Sequence, residues 1–166
     1  LKQDIFLESL PDEYENFTIA QISDLHVGPT IKRPYVEGVL NKISQINPDL
    51  IAVTGDLVDG SVEHLRSDLE PFKDMIADYG TYFVTGNHEY YSGVDRWLNE
   101  TDRLGMINLV NDNKIISKRG QKIAIAGITI IKLRNGFKSK LVDTVKPKKA
   151  DNIIRSPCAM LTSLIT

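Results

Sequence analysis

Three short apolar stretches, residues 17–23, 50–53 and 81–84, each run straight into a polar cluster, and this repetition constrains the fold more than any other feature. The clusters are Asp24-Leu25-His26, Thr54-Gly55-Asp56 and Thr85-Gly86-Asn87-His88. The stretches read as strands. Between them, Pro34 opens a segment in which Val36, Val39, Leu40, Ile43 and Ile46 fall at helical spacing, stopped by Asn47-Pro48. Leu65, Leu69, Phe72 and Ile76 repeat that spacing, with Pro71 expected to break or kink the helix. Ser92-Gly93-Val94-Asp95 resembles a capping box, opening a helix with Val94, Trp97, Leu98 and Leu104 that Gly105 ends. Residues 114–117 and 122–126 around Gly120 read as a hairpin. Strands alternating with helices predict an α/β domain whose largely parallel sheet carries helices on its faces. With 166 residues, 42% of them hydrophobic, the chain has material for one core.

In an open parallel sheet the strand C-termini share one edge, and that edge is where ligands bind. Clusters about 30 positions apart in sequence can therefore converge. Aspartate, histidine and asparagine offer a carboxylate, an imidazole and an amide oxygen, a set suited to Mn, Fe or Zn ions rather than Ca. A carboxylate such as Asp56 can bridge two ions about 3.5–4 Å apart, a pair that activates water near neutral pH and clamps a phosphate. Glycine before Asp56 and before Asn87 leaves room for a sharp turn and a close approach. The spacing fits a dimetal phosphoesterase.

Other polar and aromatic residues have plainer readings. His64, among Glu63, Arg66 and Asp68 on a helix, reads as a surface histidine. Trp97 and the Tyr90-Tyr91 pair read as packing. Asp59 and Glu89 are open between orienting the ligands and simple solvation. The lone cysteine, Cys158, excludes an internal disulfide framework and a cysteine-cluster zinc site.

The motifs ISDLH (22–26), GDLVDG (55–60) and GNHEYY (86–91) resemble the calcineurin-like metallophosphoesterase superfamily, whose pattern runs D-x-H, G-D, G-N-H. The surrounding text is similar to the membrane-tethered metallophosphoesterases, in which a hydrophobic region precedes the catalytic domain. The resemblance covers roughly residues 7–128 and implies a four-layered α/β sandwich, two sheets flanked by helices, of which this chain carries the N-terminal part. It implies hydrolysis of a phosphomonoester or phosphodiester by a hydroxide bridging two divalent ions, with Mn, Fe, Zn and Ni all open. Carried over by position, Asp24 and His26 would bind the first metal, Asp56 would bridge, and Asn87 would bind the second and touch the phosphate. His88 would protonate the leaving oxygen or stabilise phosphoryl charge.

Family members add a later histidine and a Gly-His-x-His motif, whereas the histidines here are His26, His64 and His88. The charge changes along the chain as well. Residues 1–128 carry a net −8, and residues 129–166 a net +6. Residues 1–128 are therefore expected to form the N-terminal part of a metallophosphoesterase domain, and 129–166 a basic tail, disordered or foreign to it. On this reading the second metal site is under-ligated and the chain weakly active or inactive. The alternative is a protein-interaction scaffold with a degenerate metal site, disfavoured because a scaffold has no chemical need for Asp24, Asp56, Asn87 and His88 together. The expected partner is a phosphate-ester substrate. Nucleic acid is disfavoured because no aromatic platform accompanies the basic tail. The residues as given are expected to be soluble. Membrane attachment would come from a segment upstream of Leu1, by resemblance alone.

Overall fold

The computed structural model describes residues 1–8, 10–133 and 136–139, with side chains described as far as residue 129. Four strands, β1 (Ile19–Ile22), β2 (Leu50–Val53), β3 (Thr81–Phe83) and β4 (Ile107–Asn108), form a parallel sheet in the order β1-β2-β3-β4. Ile19 pairs with Leu50, Ile51 with Thr81 and Tyr82 with Ile107, so the strands end nearly level. The crossovers are helical: α1 (Arg33–Ile46), α2 (Val62–Leu69), the short α3 (Asn87–Tyr91) and α4 (Val94–Arg103). Because each strand lies beside its predecessor and parallel crossovers are right-handed, the crossover helices collect on one face.

That face holds the larger core. Ala20, Ile22, Ile51, Val53 and Phe83 meet Val36, Leu40 and Ile43 of α1, Leu65 and Leu69 of α2, and Trp97 of α4. Each large apolar side chain buried there contributes about 1.5–3 kcal/mol. The opposite face packs Leu50 and Tyr82 on Ile116 and Ile123 of an antiparallel hairpin, β5 (Asp112–Lys118) and β6 (Gln121–Gly127). Arg119 and Gly120 both have positive φ, 51° and 88°, matching a tight hairpin turn. The second layer is also pinned at the N-terminus, where the hydroxyl of buried Tyr14 lies 3.2 Å from the Ile116 carbonyl and 3.1 Å from that of Gln121. A helical layer, a parallel sheet and a second sheet are thus in place, as the α/β reading expects.

Several sequence expectations change in detail. The second helix ends at Leu69 and passes into a 3-10 turn, Glu70–Asp74, containing Pro71. Ile76 consequently falls off the helical face and is 85% exposed. Ile46, in the last turn of α1, is likewise exposed. Ser92 does not cap α4. Its N–H closes α3 on the His88 carbonyl at 2.9 Å, and Gly93, with φ 96°, takes the N-cap position without a side-chain bond. Within the expected basic tail, Ile130–Leu133 (β7) pairs antiparallel with Gly136–Ser139 (β8). Residues 140–166, with Cys158, lie outside the described residues.

Candidate metal centre

Past the ends of β1 and β2 the parallel ladder continues irregularly. Asp24 N–H donates to the Gly55 carbonyl (3.2 Å), His26 N–H to that of Asp56 (3.1 Å) and Val27 N–H to that of Leu57 (2.9 Å). Asp59 N–H returns to the Val27 carbonyl at 2.8 Å. To keep these bonds while alternately turning side chains to the edge, Asp24, His26 and Asp56 adopt left-handed φ values of 55°, 50° and 50°. Such conformations are costly for residues with a Cβ and persist only where surrounding bonds hold them.

Those turns bring the clusters together. Ligand atoms of His26, Asp56 and His88 lie within 4.8 Å of one another. The two imidazoles meet edge to face with ring centroids 4.4 Å apart. Asp24, about half exposed, stands beside the group, its Oδ1 4.0 Å from His26 Nε2, and accepts a bond from the Ser23 hydroxyl. Asn87 is the first residue of α3, directly preceding His88.

Two carboxylates left open by the sequence have defined places. Asp59 faces both imidazoles: its Oδ1 bonds His88 Nδ1, and its Oδ2 lies 3.2 Å from His26 Nδ1. The second approach lacks hydrogen-bond geometry, so the buried His26 Nδ1 has no hydrogen-bond partner among the described residues. Burial opposes ionisation of Asp59, but the two histidines outweigh it and hold the carboxyl below its ordinary range. Glu89 is fully buried. Its Oε1 accepts from Leu57 N–H (2.8 Å), and its Oε2 from Asp56 N–H (3.1 Å) and Gly86 N–H (2.6 Å). Burial pushes the Glu89 carboxyl up, although those amides pull the other way. In the sequence the signal was the Gly-x-x-Glu spacing of 86–89, a capping pattern with no side chain at its first position.

His64 is exposed on α2, its Nδ1 3.0 Å from the Ser61 hydroxyl, away from the cluster. Trp97 is buried and donates its indole N–H to the Gly60 carbonyl at 3.0 Å. Tyr91 is not core packing: it is 63% exposed at the rim, its ring edge-on to His88 at 5.8 Å.

The donor chemistry fits a divalent ion. His26 and Asp56 offer an imidazole and a carboxylate, a borderline donor set with the His88 imidazole beside it, and one buried ring nitrogen of His26 lacks a hydrogen-bonding partner among the described residues. The calcineurin-like phosphoesterase family profile matches residues 17–157. A zebrafish (Danio rerio) transmembrane protein with metallophosphoesterase domain is 33% identical over 135 residues, 79% of this chain and 31% of its own length. The bovine (Bos taurus) protein of the same name is 37% identical over 67% of this chain and 25% of its own. An uncharacterized metallophosphoesterase of Helicobacter pylori is 30% identical over 92% of this chain and 44% of its own. The chain therefore spans less than half the length of these curated relatives. Among the described residues no helix is long and apolar enough to cross a membrane. With strand-end motifs, site geometry and family profile in agreement, this chain belongs to the calcineurin-like phosphoesterase family, whose members use divalent metals.

Proposed function

We propose that this chain carries ligands and a proton donor of a metal-dependent phosphoesterase acting on a phosphomonoester or phosphodiester. The observation that carries this reading is the gathering of His26, Asp56 and His88 within 4.8 Å at the strand ends. Asp24 and His26 would hold one ion, Asp56 would bridge to a second, and Asn87 would bind that second ion and the phosphate. Two divalent ions, drawn from Mn, Fe, Zn and Ni, would when bound lower the pKa of a water toward neutral pH and offset charge on the phosphoryl group. His88 would protonate the leaving oxygen or stabilise charge on the phosphoryl group. Its Nδ1 bond to Asp59 would orient the ring and leave Nε2 as the nitrogen open to the leaving oxygen.

Asp56 and Asn87 are the donors this reading assigns to the second ion, so residues 1–166 are expected to bind metal but turn over little. The test is calorimetric titration of the full chain with Mn(II), alongside turnover of aryl phosphate mono- and diesters. Wild type should bind Mn(II), and Asp56→Asn should lose that binding. Equal binding by Asp56→Asn removes the site assignment, and rapid Mn-stimulated turnover by residues 1–166 removes the expectation of low activity. The relatives named transmembrane proteins support a membrane tether upstream of residue 1, to be checked by fractionating cells that express the full-length protein.

A further inference from the structure

We propose that Glu89 is a positioning residue that locks the Asp56 turn to the Gly86–His88 turn, fixing the spacing between Asp56 and His88. The inference rests on the reading of the site given above.

The bonds run in both directions between the two turns. Glu89, on the third strand's turn, takes its own Gly86 N–H at 2.6 Å and reaches across to the Asp56 and Leu57 N–H groups at 3.1 and 2.8 Å. Asp56, on the second strand's turn, reaches back: its Oδ1 accepts the His88 N–H at 2.9 Å. The first amides of helix α3 are thus capped from two turns. Glu89 supplies the backward bond to the N-cap amide, while Asp56 replaces the side chain that Gly86 lacks. A side chain at position 86 could not do this work locally, because its Cβ would lie 2.5 Å from the Asp56 nitrogen. With Oδ1 held by His88, one oxygen of Asp56 has a fixed direction and the other follows from it.

The clamp also bears on strain. Asp56 sits at φ 50°, a conformation that needs external bonds to persist, and Glu89 holds its amide directly. Among the described residues no cation is paired with this fully buried carboxylate, and the partners that hold it are backbone amides. Three amide donors into one buried carboxylate form a rigid junction.

The experiment uses the full chain as wild type, Glu89→Gln and Glu89→Ala, with two readouts. The first is amide hydrogen exchange of the metal-free protein. The second is Mn(II) affinity by calorimetry, with Asp56→Asn as the control that removes a ligand. Exchange at Asp56, Leu57 and Gly86 should accelerate selectively in both variants while α1 amides at Leu40 and Ile43 keep their protection. Mn(II) affinity should fall by about tenfold or more, the usual effect of removing a group that orients ligands. Unchanged exchange at those three amides, or unchanged Mn(II) affinity where wild type binds, overturns the proposal. So does unfolding of both variants, because the carboxylate would then hold the domain rather than the site. If wild type itself binds no Mn(II), the metal reading fails, and the selective exchange pattern alone decides for or against the clamp.

Discussion

A Cβ on Gly55 would stand 2.5 Å from the amide nitrogen of Gly86. The turns after the second and third strands therefore touch backbone to backbone, with no space for a side chain between them. Gly55 also has φ 90°, so Gly55→Ala combines a forbidden contact with an unfavourable conformation. Neither neighbour can move without dragging Asp56 or His88. We expect Gly55→Ala to lower stability by about 2–4 kcal/mol, through backbone strain and overpacking together. By contrast, Gly38→Ala on α1, where an added Cβ meets nothing within 4 Å, should be neutral or stabilising. Urea unfolding of the two variants measures the contrast, and equal midpoints would contradict it.

Much of this site was legible because its main signal is local. A β-rich run followed at once by Asp24-x-His26, Gly55-Asp56 or Gly86-Asn87-His88 names both the strand and the end of it where ligands gather. Level register across β1, β2 and β3 then does the rest. What the sequence left open was decided by long-range packing. Asp59 and Glu89 look alike as acidic residues just past a motif, yet one faces two imidazoles and the other is sealed under two turns. The Gly86-x-x-Glu89 spacing marks a cap in the linear pattern, but no linear pattern places Asp59 between the two imidazoles or shows that Glu89 is buried. Ile76 shows the reverse error: its spacing is helical, but Pro71 has already ended the α-helix, so periodicity continues where the structure does not.

His26 and His64 offer a direct comparison of a site histidine with a surface one. His26 belongs to the cluster within 4.8 Å, whereas His64 is exposed and bonded locally to Ser61. His26→Ala should weaken Mn(II) or Zn(II) binding by at least about a hundredfold, since a lost ligand costs more than the 10–100-fold of a lost orienting group. His64→Ala should bind as wild type does. Titration of both variants with the same metal checks the pair, and loss of binding in His64→Ala would mean that the metal sits elsewhere.

The acid limb of stability should depend on Glu70. Hydrogen bonds and charge from Arg103 and Lys73 bring its carboxyl down to about 2. An unfolded glutamate titrates near about 4.3. A depressed folded value stabilises the protein above the unfolded value, and that contribution disappears as pH falls from about 4 toward about 2. Glu100, held low against burial by Arg103 and Arg66, acts with the same sign. Glu89, raised by burial, acts with the opposite sign, so its stabilising effect belongs to low pH and fades as pH rises through its folded value. The informative quantity is therefore the difference between wild type and Glu70→Gln. Unfolding midpoints of the two should converge on acidification through that window, and a constant gap would remove Glu70 as the cause.

Trp97 couples the helical layer to the site through one bond and one large buried surface. Its side chain is 1% exposed within the core, and its indole N–H donates to the carbonyl of Gly60, in the loop that continues from Asp56 and Asp59. Trp97→Ala removes both contributions and should cost about 3–5 kcal/mol. Trp97→Phe keeps most of the apolar volume but leaves the Gly60 carbonyl without its donor, a cost of about 1–3 kcal/mol. The two variants separate packing from loop anchoring. If the bond anchors the loop, Trp97→Phe should lose metal affinity at a temperature where the protein remains fully folded, because the Asp59 end of the loop gains freedom. If the indole only fills space, Trp97→Phe should bind metal as wild type does and differ from it solely in its unfolding midpoint. Titration with Mn(II) well below that midpoint, paired with thermal unfolding of the same samples, distinguishes the two roles.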